Sequence, residues 1–197
     1  MAKLHITFRR PKRMKMKNQT KKLIAYLNLL DVKIDSDRFE YRIKAQKLTY
    51  ILQKLTGKTL YSDFSFYIRG PYSRELAKEY FDYKNNFKEG KTEVELTIEE
   101  NKEIKQAVPL LKSLTQMELE IVASLLYLEE RGLDENHAET KLNELKPHLK
   151  LEDIWRGSNI IKKLFLTEKL KVAIMSSLEK EIEKWDRISN ESLQKFE

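Results

Sequence analysis

A metal-dependent nuclease needs clustered carboxylates beside a lysine, and Glu93-Val94-Glu95 with Asp82 upstream is the nearest arrangement in this chain. The catalytic lysine is missing, and carboxylates alternating along a strand ordinarily face solvent. Ser73 could act as a nucleophile only with a base beside it. Glu75 and Lys78 are the local candidates, and capping of a following helix accounts for the hydroxyl more simply. His5, His137 and His148 are far apart, and with Asp134, Glu139 or Asp153 they match no common metal-ligand spacing. The chain has no cysteine, which removes disulfides, thiolate nucleophiles, iron–sulfur clusters and most structural zinc sites. Its five glycines form neither GxGxxG nor GxxxxGK, so no phosphate-cradling loop is present. These residues assemble no catalytic set, no metal site and no cofactor site, and they predict a non-enzymatic protein.

Chemistry toward a polyanion is better represented. Lys3, Arg9, Arg10, Lys12, Arg13, Lys15, Lys17, Lys21 and Lys22 place nine bases and no acid in the first 22 residues. The chain of 197 residues has 38 basic and 31 acidic residues, so residues 23–197 carry 29 bases against 31 acids. The net charge of +7 therefore belongs to one segment. A localised basic arm can align with phosphates and release several counterions at once. This predicts a regulatory or nucleic-acid-associated protein in which Arg9, Arg10, Lys12, Arg13, Lys15, Lys17, Lys21 and Lys22 contact the backbone of DNA or structured RNA. A solubilising tail, or an edge strand guarded by lysines, is the plainer use of such an arm.

The remaining composition sets the frame. Hydrophobic content of 41% beside 35% charge is that of a folded chain with a heavily charged surface. No apolar run approaches bilayer length, and no apolar core with a cleavage site follows the basic start, so a cytoplasmic protein is expected. Lys/Glu richness without cysteine also matches thermophile composition.

Periodicity supplies the elements. Leu4, Ile6 and Phe8 alternate as a short strand. Leu23, Ile24, Leu27 and Leu30 mark a first helix, with Asn18–Thr20 offering capping oxygens. A second helix runs from about Ser36 to Leu55, burying Leu48, Ile51, Leu52 and Leu55, and stops at Gly57. Residues 61–87 then hold nine aromatic rings: Tyr61, Phe64, Phe66, Tyr67, Tyr72, Tyr80, Phe81, Tyr83 and Phe87. Phe64, Phe66 and Ile68 read as the buried face of a strand broken at Gly70-Pro71, with Ser73 capping a helix through Leu76, Ala77 and Tyr80. Thr92–Leu96 reads as a second short strand.

Thr97 with Glu100 and Thr115 with Glu118 form two capping boxes. The first opens a helix burying Ile104, Val108 and Leu111, to be kinked or ended at Pro109. The second opens one burying Leu119, Val122, Leu125 and Leu126, closed at Gly132. Asp134 caps a shorter helix that Pro147 ends. Two more helices cover about 151–165 and 168–188. In the latter, Leu170, Ile174, Leu178, Ile182 and Trp185 form a stripe expected to pack on the body, self-association being its other use. The pair 116–131 and 135–146 has helix-turn-helix length, but Glu135, Glu139 and Glu144 on its second helix would repel phosphates. The expected fold is one mainly helical domain over residues 23–197, with a small antiparallel sheet (α+β). It is a helical bundle for which a winged-helix form is one option, and it carries a basic arm at 1–22.

Lys47-Leu48-Thr49-Tyr50-Ile51-Leu52-Gln53 and Phe64-x-Phe66-Tyr67-x-x-Gly70-Pro71-Tyr72-Ser73-x-Glu75-Leu76 resemble the YwgA-like family of uncharacterised archaeal and bacterial proteins. More distantly they resemble the SocA/Panacea-type antitoxin domain. Weaker similarity continues at Leu119–Leu128 and Leu142–Pro147, so about residues 42–155 are covered, and Arg69 stands where the pattern has a tyrosine. The resemblance implies a mostly helical domain with a small sheet and no catalytic residue. It also implies an alternative function, an antitoxin-like protein-interaction module, for which Tyr67, Arg69 and Tyr72 are the expected partner anchors because Tyr and Arg are favoured in that role. Rings so densely placed build core first, and the remainder is available to an interface.

Overall fold

The computed structural model describes residues 15–165, 176–185 and 187. The chain divides into two compact units, Met1–Tyr127 and Leu128–Glu197. In order, the elements are α1 (Asn18–Leu29), α2 (Phe39–Leu55), β1 (Ser65–Tyr67), β2 (Gly70–Tyr72), α3 (Arg74–Asp82), α4 (Lys84–Glu89), α5 (Ile98–Ser113), α6 (Gln116–Glu130), α7 (Glu135–Leu145) and α8 (Leu151–Phe165). A further helical run occupies 176–185. The protein is thus mainly helical with a small antiparallel sheet, as the sequence predicts, the sheet having two strands among the described residues. The expected strand at Leu4–Phe8, and Leu170 and Ile174 of the last stripe, lie outside the described residues.

The core of the first unit is built from the periodic faces of its helices. Leu23, Ile24 and Leu27 of α1, Leu48, Ile51 and Leu52 of α2, and Ile104 and Leu111 of α5 are buried. Leu119, Val122 and Leu125 of α6 join them. Both capping boxes form. The Thr97 hydroxyl accepts from the Glu100 amide at 3.2 Å while Glu100 takes the Thr97 amide at 3.0 Å. Thr115 and Glu118 repeat the exchange at 3.2 and 2.8 Å. Asp134 caps α7 by accepting from the His137 amide at 2.9 Å. Within the second unit α7 and α8 pack together, burying Ala138, Leu142 and Ile154. Ser158 donates to Glu139 at 2.5 Å, and Lys162 meets Glu135 at 2.6 Å.

Four expectations are corrected. α5 does not end at Pro109 but runs on to Ser113. α1 begins at Asn18, which leaves Lys17 at the N-cap with no side-chain cap and puts Thr20 inside the helix, where its hydroxyl donates to Glu79 at 2.8 Å. Thr92–Leu96 is extended but joins no sheet. Its alternation is real, with Thr92, Val94 and Leu96 half-buried and Glu93 and Glu95 exposed, yet it lies along α1, where the Thr92 hydroxyl donates to the Lys21 carbonyl at 2.9 Å. Period two reports an extended chain on a surface and says nothing of ladder partners. Finally, Leu178, Ile182 and Trp185 are exposed rather than buried.

Two buried carboxylates fix α1. Glu79 of α3 takes Thr20 and stands 3.4 Å from Lys17. Glu100 of α5 takes Lys22 at 2.7 Å and Tyr26 at 2.8 Å. Burial alone would raise the Glu100 pKa, but the bonds from Lys22, the Thr97 amide and Tyr26 outweigh it and hold it at about 2. Burial and the same carboxylate push the Tyr26 hydroxyl well up. A carboxyl with a depressed folded pKa stabilises fully above its unfolded value and loses that contribution as pH falls through the folded one. Glu100→Gln should therefore cost about 1–3 kcal/mol at neutral pH. The gap from wild type in urea melts should close as pH falls from about 4.5 toward about 2.

Candidate functional site

The segments Lys47–Gln53 and Phe64–Leu76 meet at the β1–β2 hairpin. Buried Lys47 of α2 donates to the Pro71 carbonyl at 2.7 Å. One turn face along, Gln46 exchanges two bonds with Ser73, giving its NH₂ to the carbonyl at 3.0 Å and accepting the amide at 2.8 Å. Ser73, fully buried, caps α3 by accepting from the Leu76 amide at 2.9 Å and also donates to Asp63. Its hydroxyl is a capping group set between a backbone amide and a carboxylate.

Gly70 is required twice over. Its φ of +81° is in the left-handed region. A Cβ there would run into the Ser124 hydroxyl of α6 and lie 3.5 Å from the Glu120 carbonyl. The strands pair Ser65 with Tyr72, Phe66 with Pro71 and Tyr67 with Gly70, which leaves Ile68-Arg69 as a two-residue turn. Ile68 was expected on the buried strand face. The strand ends one residue earlier, so Ile68 sits at the tip, 91% exposed.

Of the nine rings, Tyr61, Phe64, Tyr80 and Phe87 are buried; Phe66, Tyr72 and Tyr83 are half-buried; Tyr67 and Phe81 are exposed. Tyr50 meets Phe64 edge-on at 5.0 Å, and Phe66 meets Tyr127 at 5.5 Å, which seats the hairpin on α2 and α6. Burial raises the Tyr80 pKa. Tyr67 packs edge-on against Tyr72 at 5.3 Å and accepts a bond from Arg74 at 3.0 Å, which lowers its pKa.

Between the hairpin, α2 and α3 opens a groove of about 610 Å³. α2 contributes Phe39, Arg42, Ile43, Gln46 and Lys47 to it, and α3 contributes Tyr80 and Phe81. The hairpin adds Tyr67, Ile68, Arg69, Gly70 and Tyr72. Phe39 and Phe81 are about half in solvent, at 55% and 53%. The Arg42 guanidinium lies 5.4 Å from the Phe39 ring and 5.8 Å from Phe81, and Arg69 lies 5.7 Å from Phe39. Arg42 also donates to the Ser36 carbonyl at 3.0 Å, and Arg69 stands 4.0 Å from Glu120.

Tyr67, Arg69 and Tyr72, singled out from sequence as partner anchors, thus share this one groove. Phe39, Arg42, Ile68 and Phe81 join them without having been picked out. The available signal was that Phe81 follows Tyr80 and so falls off the buried face of α3, while Phe39 and Arg42 stand one turn apart at the start of α2.

The basic-arm residues are distributed differently. Arg9, Arg10, Lys12 and Arg13 lie outside the described residues, and Lys15 is exposed. Lys17 meets Glu75 at 2.6 Å, Lys21 comes within 3.9 Å of Glu93, and Lys22 meets Glu100. Among the described residues no group of three or more His, Asp or Glu is placed to hold a metal ion. No helix among them is long and apolar enough to cross a membrane.

Gly70→Ala should lower stability by on the order of 2–3 kcal/mol, from left-handed strain together with displacement of Ser124. Gly57→Ala shares the positive φ but has nothing within 4 Å of the new Cβ, and should cost less in the same thermal melts.

Compared with protein families, with curated proteins and with solved structures, the chain matches none.

Proposed function

We propose that this protein is a non-enzymatic regulator that works by docking another protein, and that the groove between the hairpin, α2 and α3 is the docking site. The observation that carries this reading is the gathering of Phe39, Phe81, Tyr67 and Ile68, all exposed, in one groove. Contiguous exposed apolar surface of this kind marks interaction sites, and Tyr and Arg are favoured as anchors in them. A small-molecule site encloses most of its ligand, whereas this groove leaves Phe39 and Phe81 half in solvent and Ile68 almost wholly so. The resemblance of residues 42–155 to antitoxin-type domains supports protein recognition at the level of fold analogy.

The test sets wild type beside Ile68→Asp as immobilised full-length bait for an extract of the source cells. Ile68→Asp should leave stability within about 0.5 kcal/mol, because the side chain is at an exposed tip. A partner polypeptide should stay on wild type at about 1 M salt, where the Debye length is about 3 Å, and be lost from the variant. Recovery of nucleic acid alone, released by that salt, overturns the reading.

A second reading is favoured by the nine bases and no acid in residues 1–22: binding of the DNA or RNA backbone. Because Lys17, Lys21 and Lys22 already face carboxylates, phosphate contact falls to Arg9, Arg10, Lys12, Arg13 and Lys15. Five such contacts should give a slope of log K against log salt of about −4.5 on duplex DNA. In anisotropy titrations the slope should vanish on deletion of residues 1–15, which spares Lys17. A flat salt dependence removes this reading.

A further inference from the structure

We infer that the groove's occupant is an amphipathic helix of a partner protein whose apolar stripe is flanked by carboxylates. This rests on the docking reading above and names the chemistry of the partner. Charge comes first. The groove wall carries Arg42 and Arg69 and no acidic residue, the third cation of its lining, Lys47, being buried and turned to the Pro71 carbonyl. Glu120, 4.0 Å from Arg69, is buried, whereas Arg69 is exposed, so the charge offered to an incoming chain is positive. The Ser36 carbonyl takes one of the five N–H donors of Arg42, and a guanidinium held against two rings is preorganised to receive a carboxylate edge-on.

The backbone then selects the shape of the occupant. A segment docking by strand addition would have to pair with β2, which walls the groove, but that strand has little left to offer. The Pro71 carbonyl takes Lys47, Pro71 has no N–H, and both backbone groups of Ser73 are bonded to Gln46. Recognition therefore runs through side chains, as when a helix lays its apolar face into a groove. Single-stranded nucleic acid needs open ring faces for its bases, and here guanidinium groups stand over Phe39 and Phe81.

The experiment selects from a phage library of helix-forming peptides on the immobilised full-length chain. Each peptide presents one apolar face, with the positions beside it randomised. Wild type should enrich Asp and Glu at the flanks, and Arg69→Glu, at an exposed turn, should shift the enrichment to Lys and Arg. The best acidic peptide should bind Arg69→Glu at least about tenfold more weakly. Arg69→Gln should fall between, which separates charge from any loss of fold. Enrichment of apolar faces with no acidic bias, or a bias unchanged in Arg69→Glu, overturns the inference and leaves docking standing. No enrichment over Ile68→Asp removes docking itself. A labelled single-stranded oligonucleotide that binds wild type, is lost in Ile68→Asp and is indifferent to deletion of residues 1–15 puts nucleic acid in the groove and overturns it as well.

Discussion

The groove exists because a buried ammonium and an amide on α2 hold the hairpin in place. Two strands of three residues are marginal alone, since a hairpin needs a third strand or a helix behind it. Here α2 takes the place of the third strand. Lys47 takes the Pro71 carbonyl, and Gln46 gives Ser73 both halves of a ladder pair. Burying Lys47 is costly unless its donors are met, so the Pro71 carbonyl is a constraint on the hairpin as much as a contact. Gly70 completes the seat, because only a residue without a side chain passes Ser124 on α6 with a left-handed backbone. Once these groups are set, the turn at Ile68-Arg69 has to project, and Tyr67 and Tyr72 have to line the wall between turn and helix.

Charge is organised by a different rule at α1. Lys17, Lys21 and Lys22 of the basic run are met by carboxylates of the body at Glu75, Glu79, Glu93 and Glu100. Two of these acids are buried, and both also bond a hydroxyl on α1, Thr20 or Tyr26. The lysines are therefore joined to packing as well as to charge, and a count of bases overstates what that segment can offer a polyanion. Screening by salt is weak for a partly buried pair such as Lys22 with Glu100 and strong for an exposed one such as Lys21 with Glu93.

Most of the secondary structure was legible because its signals are local. The capping pairs Thr97/Glu100 and Thr115/Glu118, the cap at Asp134 and the stop at Gly132 are fixed by residues three or four apart, and all were found where the sequence puts them. Illegible were the features set by distant partners. Thr92–Leu96 alternates as a strand does, but what it lies against is α1 rather than another strand. Thr20 looks like a capping residue, but α1 starts two residues before it and its hydroxyl goes to Glu79 on another helix. The site divides in the same way. Tyr67, Arg69 and Tyr72 stand out as a cluster within six residues, whereas Phe39 and Arg42 reach the groove from about 25 residues upstream, a proximity no periodicity encodes.

An open aromatic groove is also an aggregation hazard, and its composition answers that hazard. Exposed Phe39 and Phe81 would by themselves make a sticky surface. The Arg42 guanidinium covers part of both rings, and Arg69 part of Phe39, so their apolar faces are shielded by cations that remain hydrated at their edges. Like charge at the groove also keeps two copies from meeting groove to groove. The acidic helix proposed above would meet neither obstacle, because its carboxylates would bond the edges of the same guanidinium groups while its apolar side chains entered the groove. The two arginines thus oppose unselective association and favour selective association through one geometry, which a groove lined with leucine could not do.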